Sequence, residues 1–208
     1  MIVRHKLSLL VIFFTMLCAI QHVSAEILFH VELIVMEHKQ SHQENENLVS
    51  YPVLFSLERT QILSLAVPVL SVNETPIVKL GSSYRLKPTS SIIKRSQNFR
   101  CIYHVAWIQS LTKGCRTKPV HIQGGKILPL VNDQCSDYQL EVEGILSLKY
   151  FHRLFYLHMD FVFRKFEDKG DKVHIFQSSY KARLKQKELY YFDHPKFGLF
   201  LMIVPIKR

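Results

Sequence analysis

The chain has 208 residues, 48% of them hydrophobic and 21% charged, with 27 Lys and Arg against 17 Asp and Glu and a formal net charge of +10. That length allows one domain with a real core, or two small ones sharing a sheet, and neither low-complexity sequence nor an internal duplication is visible. A chain this basic expects acidic company: nucleic acid, anionic lipid, or an anionic polymer such as cell wall.

The first residues narrow that choice. Arg4, His5 and Lys6 form a short basic head, and Leu7 to Ile20 is an apolar run of 14 residues, too short for a hydrocarbon core that needs ~20. Val23-Ser24-Ala25 then puts small residues where a signal peptidase reads. Residues 1–25 are expected to be a signal peptide cleaved after Ala25, and 26–208 a single exported domain; an uncleaved anchor is the second reading. Losing Arg4 and Lys6 leaves 25 basic against 17 acidic side chains, a net +8. Export argues against nucleic acid. No later apolar run reaches spanning length without a charge, so no membrane span is expected after cleavage. In an oxidising compartment Cys101, Cys115 and Cys135 leave one thiol over. Cys115 and Cys135 both sit in loop-like sequence and are the favoured disulfide, against the alternative of three unbridged thiols.

Taken in order, residues 27 to 36 place Ile27, Phe29, Val31, Leu33 and Val35 on one face of a first strand. Glu37 to Asn47 is polar, and its His38 and His42 stand at helical spacing with no third ligand at a fixed offset, which favours a solvated loop or helix face over a metal site. Residues 48 to 87 say least: a short helix or strand near Leu54 to Leu65, with loops after it. Pro88-Thr89-Ser90-Ser91 offers caps and a helix start, continued by Ile92 to Asn98. Phe99 to Ile108 follows as a strand with Cys101, Tyr103, Val105 and Trp107 on one face. Lys118 to Ile122 reads as a brief strand broken by a turn at Gly124-Gly125. Tyr138 to Leu148 and residues 153 to 165 both alternate, turn between Lys149 and His152, and should pair antiparallel, with Tyr156, His158, Asp160 and Arg164 facing out. Asp168-Lys169-Gly170-Asp171 reads as a turn, Val173 to Phe176 as a short strand, and Ser178 to Lys187 as a basic segment.

That segment runs into Leu189 to Asp193, and the turn Asp193-His194-Pro195-Lys196 precedes an almost unbroken apolar run from Phe197 to Val204. Proline fixes φ, the residue before it is pushed to an extended conformation, and aspartate bonds its own backbone two residues on, so the chain reverses here. Successive strands joined by short turns, with one or two short helices in the N-terminal half, point to an α+β fold on an antiparallel sheet whose C-terminal strands form a meander.

Catalysis finds little support. Adjacent residues on an extended chain point to opposite sides, so Asp193 does not orient the ring of His194 as a triad acid would. No nucleophile elbow, paired carboxylates on one strand face, or Cys-His signature is present. His152 and His158, six strand residues apart, would stand ~20 Å from each other, too far to share a metal. A non-enzymatic protein with no cofactor and no metal is expected. The binding reading rests on Lys181, Arg183, Lys185 and Lys187, which on a strand form one cationic row, with Tyr190 and Tyr191 near it to stack on sugar faces. The bland alternative, at least as strong on charge pattern alone, is an edge strand kept soluble by lysines.

Lys181 to Pro205, with Glu188-Leu189-Tyr190-Tyr191-Phe192-Asp193-His194-Pro195 and then Phe197-Gly198, resembles the signature of the CsiV family of periplasmic peptidoglycan-binding proteins. Phe99 to Gln109, with Arg100, His104 and Trp107, is similar to that family's aromatic-Arg-x-apolar-x-His-x-x-Trp-x-Gln strand, and Gly144 to Asp160 to its strand pair. The chain departs from the pattern at Tyr180-Lys181-Ala182-Arg183, where members carry paired arginines, at Tyr190, where they carry histidine, and at Ile108, usually basic. The resemblance implies an accessory role in wall assembly, bringing peptidoglycan to a synthase or its activator. Stem-peptide carboxylates would meet Lys and Arg, and sugar faces aromatic rings, in contacts that are individually weak and salt-sensitive. It also makes Trp107, Asp193, His194, Pro195 and Gly198 structural, with Gly198 allowing close backbone approach. The competing reading is a periplasmic protein–protein scaffold binding through an exposed sheet edge without wall contact.

Overall fold

β1 (Glu26–His38) is covered on both faces, and that decides how the rest packs. Phe29, Val31, Leu33 and Val35 point one way into the main core, while Ile34 and Met36 point the other way into a smaller cluster. The computed structural model describes residues 26–39, 61–63, 78–81, 83–128, 139–167 and 172–206. The expected signal peptide, His42, the turn at 168–171 and Cys135 lie outside them.

Two five-stranded sheets face each other. In the first, β1 is flanked by β4 (Phe99–Thr112) and β10 (Phe197–Pro205), with β3 (Val78–Leu80) and β9 (Leu189–Asp193) at the edges. In the second, β5 (Val120–Leu128), β6 (Gln139–Phe151), β7 (Leu154–Glu167) and β8 (Lys172–Lys185) form an antiparallel meander, and β2 (Gln61–Leu63) pairs parallel to β5. Inward residues of both sheets make one core around the fully buried Trp107. Aromatic contacts bridge the layers: the Phe29 ring lies 5.0 Å edge-on from Phe155 and 5.1 Å from Tyr150, and Phe163 lies 6.0 Å from Phe197. Such pairs add ~1 kcal/mol to the burial of their area.

The single helix among the described residues, α1 (Lys87–Arg95), lies on the outer face of the first sheet, burying Ile93 with Ile34, Met36 and Leu86. It starts one residue before Pro88, and its N-cap position, Leu86, supplies no side-chain hydrogen bond. The carboxylate of Glu32 on β1 does that work instead, accepting the N–H of Arg85 and of Leu86 at 2.8 Å each, with His104 Nε2 2.7 Å away. Burial alone would raise the Glu32 carboxyl; the hydrogen bonds from His104 and the two amides outweigh it and hold it below the ordinary 4.5.

The antiparallel meander is as expected, but the molecule is largely β rather than α+β, because the residues between sheet strands contribute only nine helical positions among those described. Gly124-Gly125 does not break the chain into a turn. β5 runs through it as a bulge, with the register shifting between Gly124 and Ile127 and Gly125 at φ 87°. A Cβ on Gly124 would stand 2.3 Å from the Tyr103 ring of the facing sheet, so glycine here admits that ring. A second shift, between Val35 and Met36, makes Ile102 the extra residue of β4. Parity flips there: Tyr103, Val105 and Trp107 face the core as expected, but Cys101 joins the cluster under α1. His38 ends a strand rather than lying in a solvated loop or on a helix face, and the expected short strand at Val173–Phe176 is the first part of a 14-residue β8.

Candidate functional site

β8 carries Leu184 into the core, opposite Phe155, and therefore turns Lys181, Arg183 and Lys185 outward on the second sheet. The register builds rows across three strands. Lys149, Tyr156 and Arg183 stand side by side, Ser147, His158 and Lys181 form the next row, and Phe151, Leu154 and Lys185 the row nearest the hairpin end. Tyr156 is 37% exposed, so its ring is offered to solvent between two cations. Arg116 bridges to Lys149 from the connection before β5 and donates from Nη1 to Ser147 Oγ at 3.1 Å. Lys149 Nζ lies 5.9 Å from the centre of the Phe151 ring. The result is a cationic face interleaved with aromatic rings, suited to carboxylates at the cations and to a flat apolar surface at Tyr156.

Further along the same face the charges neutralise one another. Asp160 Oδ2 is 3.5 Å from His158 Nε2, and Glu143 lies 2.9 Å from His121 Nε2 and 2.7 Å from Arg164 Nη2. Burial would raise the Glu143 carboxyl; His121 and Arg164 override it and hold it below the ordinary range. The open cationic part is thus confined to the end nearest the β6–β7 hairpin.

The structure brings together three of the four cations in the sequence-derived row. Lys187 leaves it, standing with φ 64° in the turn between β8 and β9 and donating its N–H to Ile203 O at 2.8 Å. Neither expected tyrosine lays its ring beside the row, although Tyr190 touches its Lys185 end. Tyr190 turns its ring to the core, and its hydroxyl accepts the Lys185 N–H (2.8 Å) and donates to Glu188 Oε2 (2.7 Å). Tyr191 lies on the opposite outer face of the molecule, packed on Phe200 with ring centres 4.9 Å apart. Its hydroxyl donates to Asp193 Oδ1 at 2.6 Å, and His38 Nε2 is 3.2 Å from it. Burial first, then this bond to a carboxylate, pushes the Tyr191 phenol well up.

Tyr156, Lys149 and Arg116 are the residues that sequence reasoning left out. Outward alternation marked Tyr156, and Lys149 shares the outward parity of β6. Setting the reversal at Lys149 to His152 hid their pairing; the true turn is His152-Arg153, which puts Lys149 opposite Tyr156.

At the Asp193-His194-Pro195-Lys196 reversal, His194 and Phe197 exchange backbone hydrogen bonds at 3.0 and 3.2 Å around Pro195-Lys196. The carboxylate of Asp193 accepts from the Tyr191 hydroxyl, while the His194 ring stacks on Phe197 at 4.5 Å and its Nδ1 accepts the Lys196 N–H. Gly198 lies under Tyr191: a Cβ there would stand 2.7 Å from its ring. Trp107 is wholly buried and donates to Gln109 Oε1 at 3.2 Å. Cys115 is exposed and Cys101 half-buried, each a free thiol. Among the described residues no group of three or more His, Cys, Asp or Glu could hold a metal, and no helix is long and apolar enough to cross a membrane.

A family model described as Peptidoglycan-binding protein, CsiV, matches residues 6–206. The chain belongs to the CsiV family. The three blocks that resemble its pattern in sequence form β4, the β6–β7 pair and the β8–β10 run, so the family signature builds walls of both sheets. Membership of a peptidoglycan-binding family points to a location outside the cytoplasm. No curated protein and no solved structure matches the chain.

Proposed function

We propose that this CsiV-family protein is an exported, non-enzymatic accessory factor that binds peptidoglycan through the outer face of its second sheet and so supports wall assembly at a synthase or its activator. The row Lys149–Tyr156–Arg183, extended by Lys181 and Arg116, carries the reading. Free stem-peptide carboxylates accept from Lys and Arg, and a sugar face stacks on an exposed ring flanked by those cations. Each contact is weak and screened by salt, which suits a protein that must release the polymer as it grows. The test is sedimentation of the purified protein with isolated sacculi. Retention is expected at low salt and lost at high salt, and Lys181→Gln with Arg183→Gln should abolish it while Tyr156→Ala weakens it. Absence of retention at low salt would sink the wall-binding reading. A second reading, a protein–protein scaffold, has one observation in its favour: β8 and β9 are edge strands of their sheets. It expects a partner complex that survives the Lys181 and Arg183 substitutions.

A further inference from the structure

One end of the molecule collects connections that are far apart in sequence. The β4–β5 connection is tied to β6 by Gly114 N–H to Tyr150 O (2.8 Å) and Thr117 N–H to Leu148 O (2.7 Å). The β8–β9 turn is tied to it by Gln186 Nε2 donating to the Tyr150 hydroxyl (2.8 Å). The β6–β7 hairpin projects between them. Glu26, the first residue of β1, pairs with Thr112 at the same end.

The chemistry of this end is one-sided. The first connection contributes Lys113 and Arg116, the hairpin Lys149 and Arg153, and the last turn Lys185 and Lys187. Against these six cations stand, among the described residues, Glu26 and Glu188, both engaged: Glu26 accepts from Ser110 Oγ at 2.9 Å, and Glu188 from the Tyr190 hydroxyl, with Lys185 Nζ 3.5 Å away. At the apex Phe151 is 40% exposed, its ring 4.0 Å from that of His152. The two turn residues, His152 and Arg153, hold φ of 49° and 64°, a left-handed pair that hairpins ordinarily give to Asn or Gly. Strain of about 1 kcal/mol per such residue is tolerated at an exposed tip that gains no packing from it. What the turn does instead is present an aromatic ring and a guanidinium at the front of a cationic end.

We propose that this end docks on an anionic phospholipid bilayer, with Phe151 entering the headgroup layer and the surrounding Lys and Arg meeting lipid phosphates. Charge complementarity selects an anionic occupant over a neutral or basic protein surface. The exposed ring at the apex selects it over a soluble anion, which would gain nothing from Phe151. Docked this way, the molecule holds the wall-binding face beside the membrane, with Lys149 at the border of the two surfaces.

The test uses the protein as purified from exporting cells. At low salt it should sediment with phosphatidylglycerol vesicles and stay in solution with phosphatidylcholine vesicles. Lys113→Gln with Arg153→Gln should lower partition about 30-fold, the usual effect of two basic side chains at an anionic surface, and leave retention on sacculi unchanged. A Phe151→Trp variant gives a direct reading, since Trp107 is buried in the core and blind to the surface: its emission should shift to the blue on phosphatidylglycerol vesicles alone. The proposal is overturned by absence of vesicle binding, by bound Phe151→Trp protein with unshifted emission, or by a Lys113/Arg153 variant that loses sacculi and keeps vesicles, which would assign this end to the wall. Because Lys181→Gln with Arg183→Gln tests the wall-binding face separately, failure of one reading leaves the other readable.

Discussion

The two ends of the molecule treat charge in opposite ways. At the end where β1 finishes and β4 begins, Glu37 takes Arg100 Nε at 2.6 Å and Lys165 Nζ at 2.8 Å, and Arg100 reaches on to Glu141 at 2.8 Å. Glu141 in turn accepts the Lys126 N–H at 2.9 Å. Glu37 and Arg100 belong to one sheet, Glu141 and Lys165 to the other, so this network is a polar seam between layers, buried at its carboxylates. At the far end six cations surround one exposed ring, and of the two neighbouring carboxylates among the described residues Glu26 accepts from Ser110 while Glu188 accepts from Tyr190 and meets only Lys185. Alternating two signs within hydrogen-bonding reach fixes geometry; crowding one sign at the surface creates a field that acts on something outside the molecule. The first arrangement is spent on the fold, and the second is left for a ligand.

Breaking the seam should therefore cost the most. Arg100→Ala takes the guanidinium from two buried carboxylates and leaves Glu141 with no cation among the described residues, and urea unfolding at neutral pH is expected to show a loss of about 3 kcal/mol. Lys165→Ala, whose side chain is 52% exposed, should cost less than ~1 kcal/mol. Equal losses would mean that the seam is not anchored on Arg100. Next in size is Glu32→Gln. Arg85 and Leu86 each donate to a separate carboxylate oxygen, and an amide would turn an N–H donor against one of them. A loss of about 2 kcal/mol is expected, with faster hydrogen exchange at Leu86 and Ser90 as α1 loosens. Unchanged exchange there would show that Glu32 does not hold the helix.

The same carboxylates set the acid limit. Glu32, Glu37 and Glu143 each desolvate on folding, which would raise them, yet their hydrogen-bonded partners hold all three below the ordinary 4.5. A folded value below the unfolded one means that the stabilisation is complete above about 4.5 and is lost as pH falls through the depressed values. Unfolding free energy should be flat from neutral pH down to that point and then drop. Arg100→Ala should lessen the drop, because Glu37 keeps Lys165 but loses the second cation that holds it below its unfolded value. An acid limb of the same steepness in that variant would contradict the assignment.

Much of this was legible in the sequence. The 29-31-33-35 alternation gave the inward face of β1, and the Asp193 to Lys196 turn gave the closing hairpin, because single strands and tight turns are local matters. What escaped depends on partners. Glu32 falls off the apolar face of the first strand and Glu37 reads as the start of a polar loop or helix; only α1 and the second sheet make them buried ion-pair residues. Bulges hid more: one residue inserted at Ile102 sends Cys101 to the opposite face, and Gly124-Gly125 imitates a turn unless the Tyr103 ring above it is known. Tyr190 and Tyr191 were assigned to the cationic row by nearness in sequence, whereas β9 belongs to the other sheet.

The smallest expected effect on stability separates the two ends best. Lys149→Gln with Arg183→Gln removes two cations that hold no ion pair among the described residues, so unfolding free energy should move by no more than ~0.5 kcal/mol. The sign is informative. If these side chains serve only to repel one another and neighbouring molecules, removing them relieves repulsion, and the variant is slightly more stable at low salt. Raising salt screens the same repulsion in the wild type, so the difference should close as the Debye length falls to a few ångströms. The Arg100→Ala loss should persist at high salt, since its carboxylates are 7% and 8% exposed. A Lys149/Arg183 variant that is destabilised by more than ~1 kcal/mol, or whose deficit survives high salt, would show that the cationic face is part of the scaffold, and the contrast between the ends would fail.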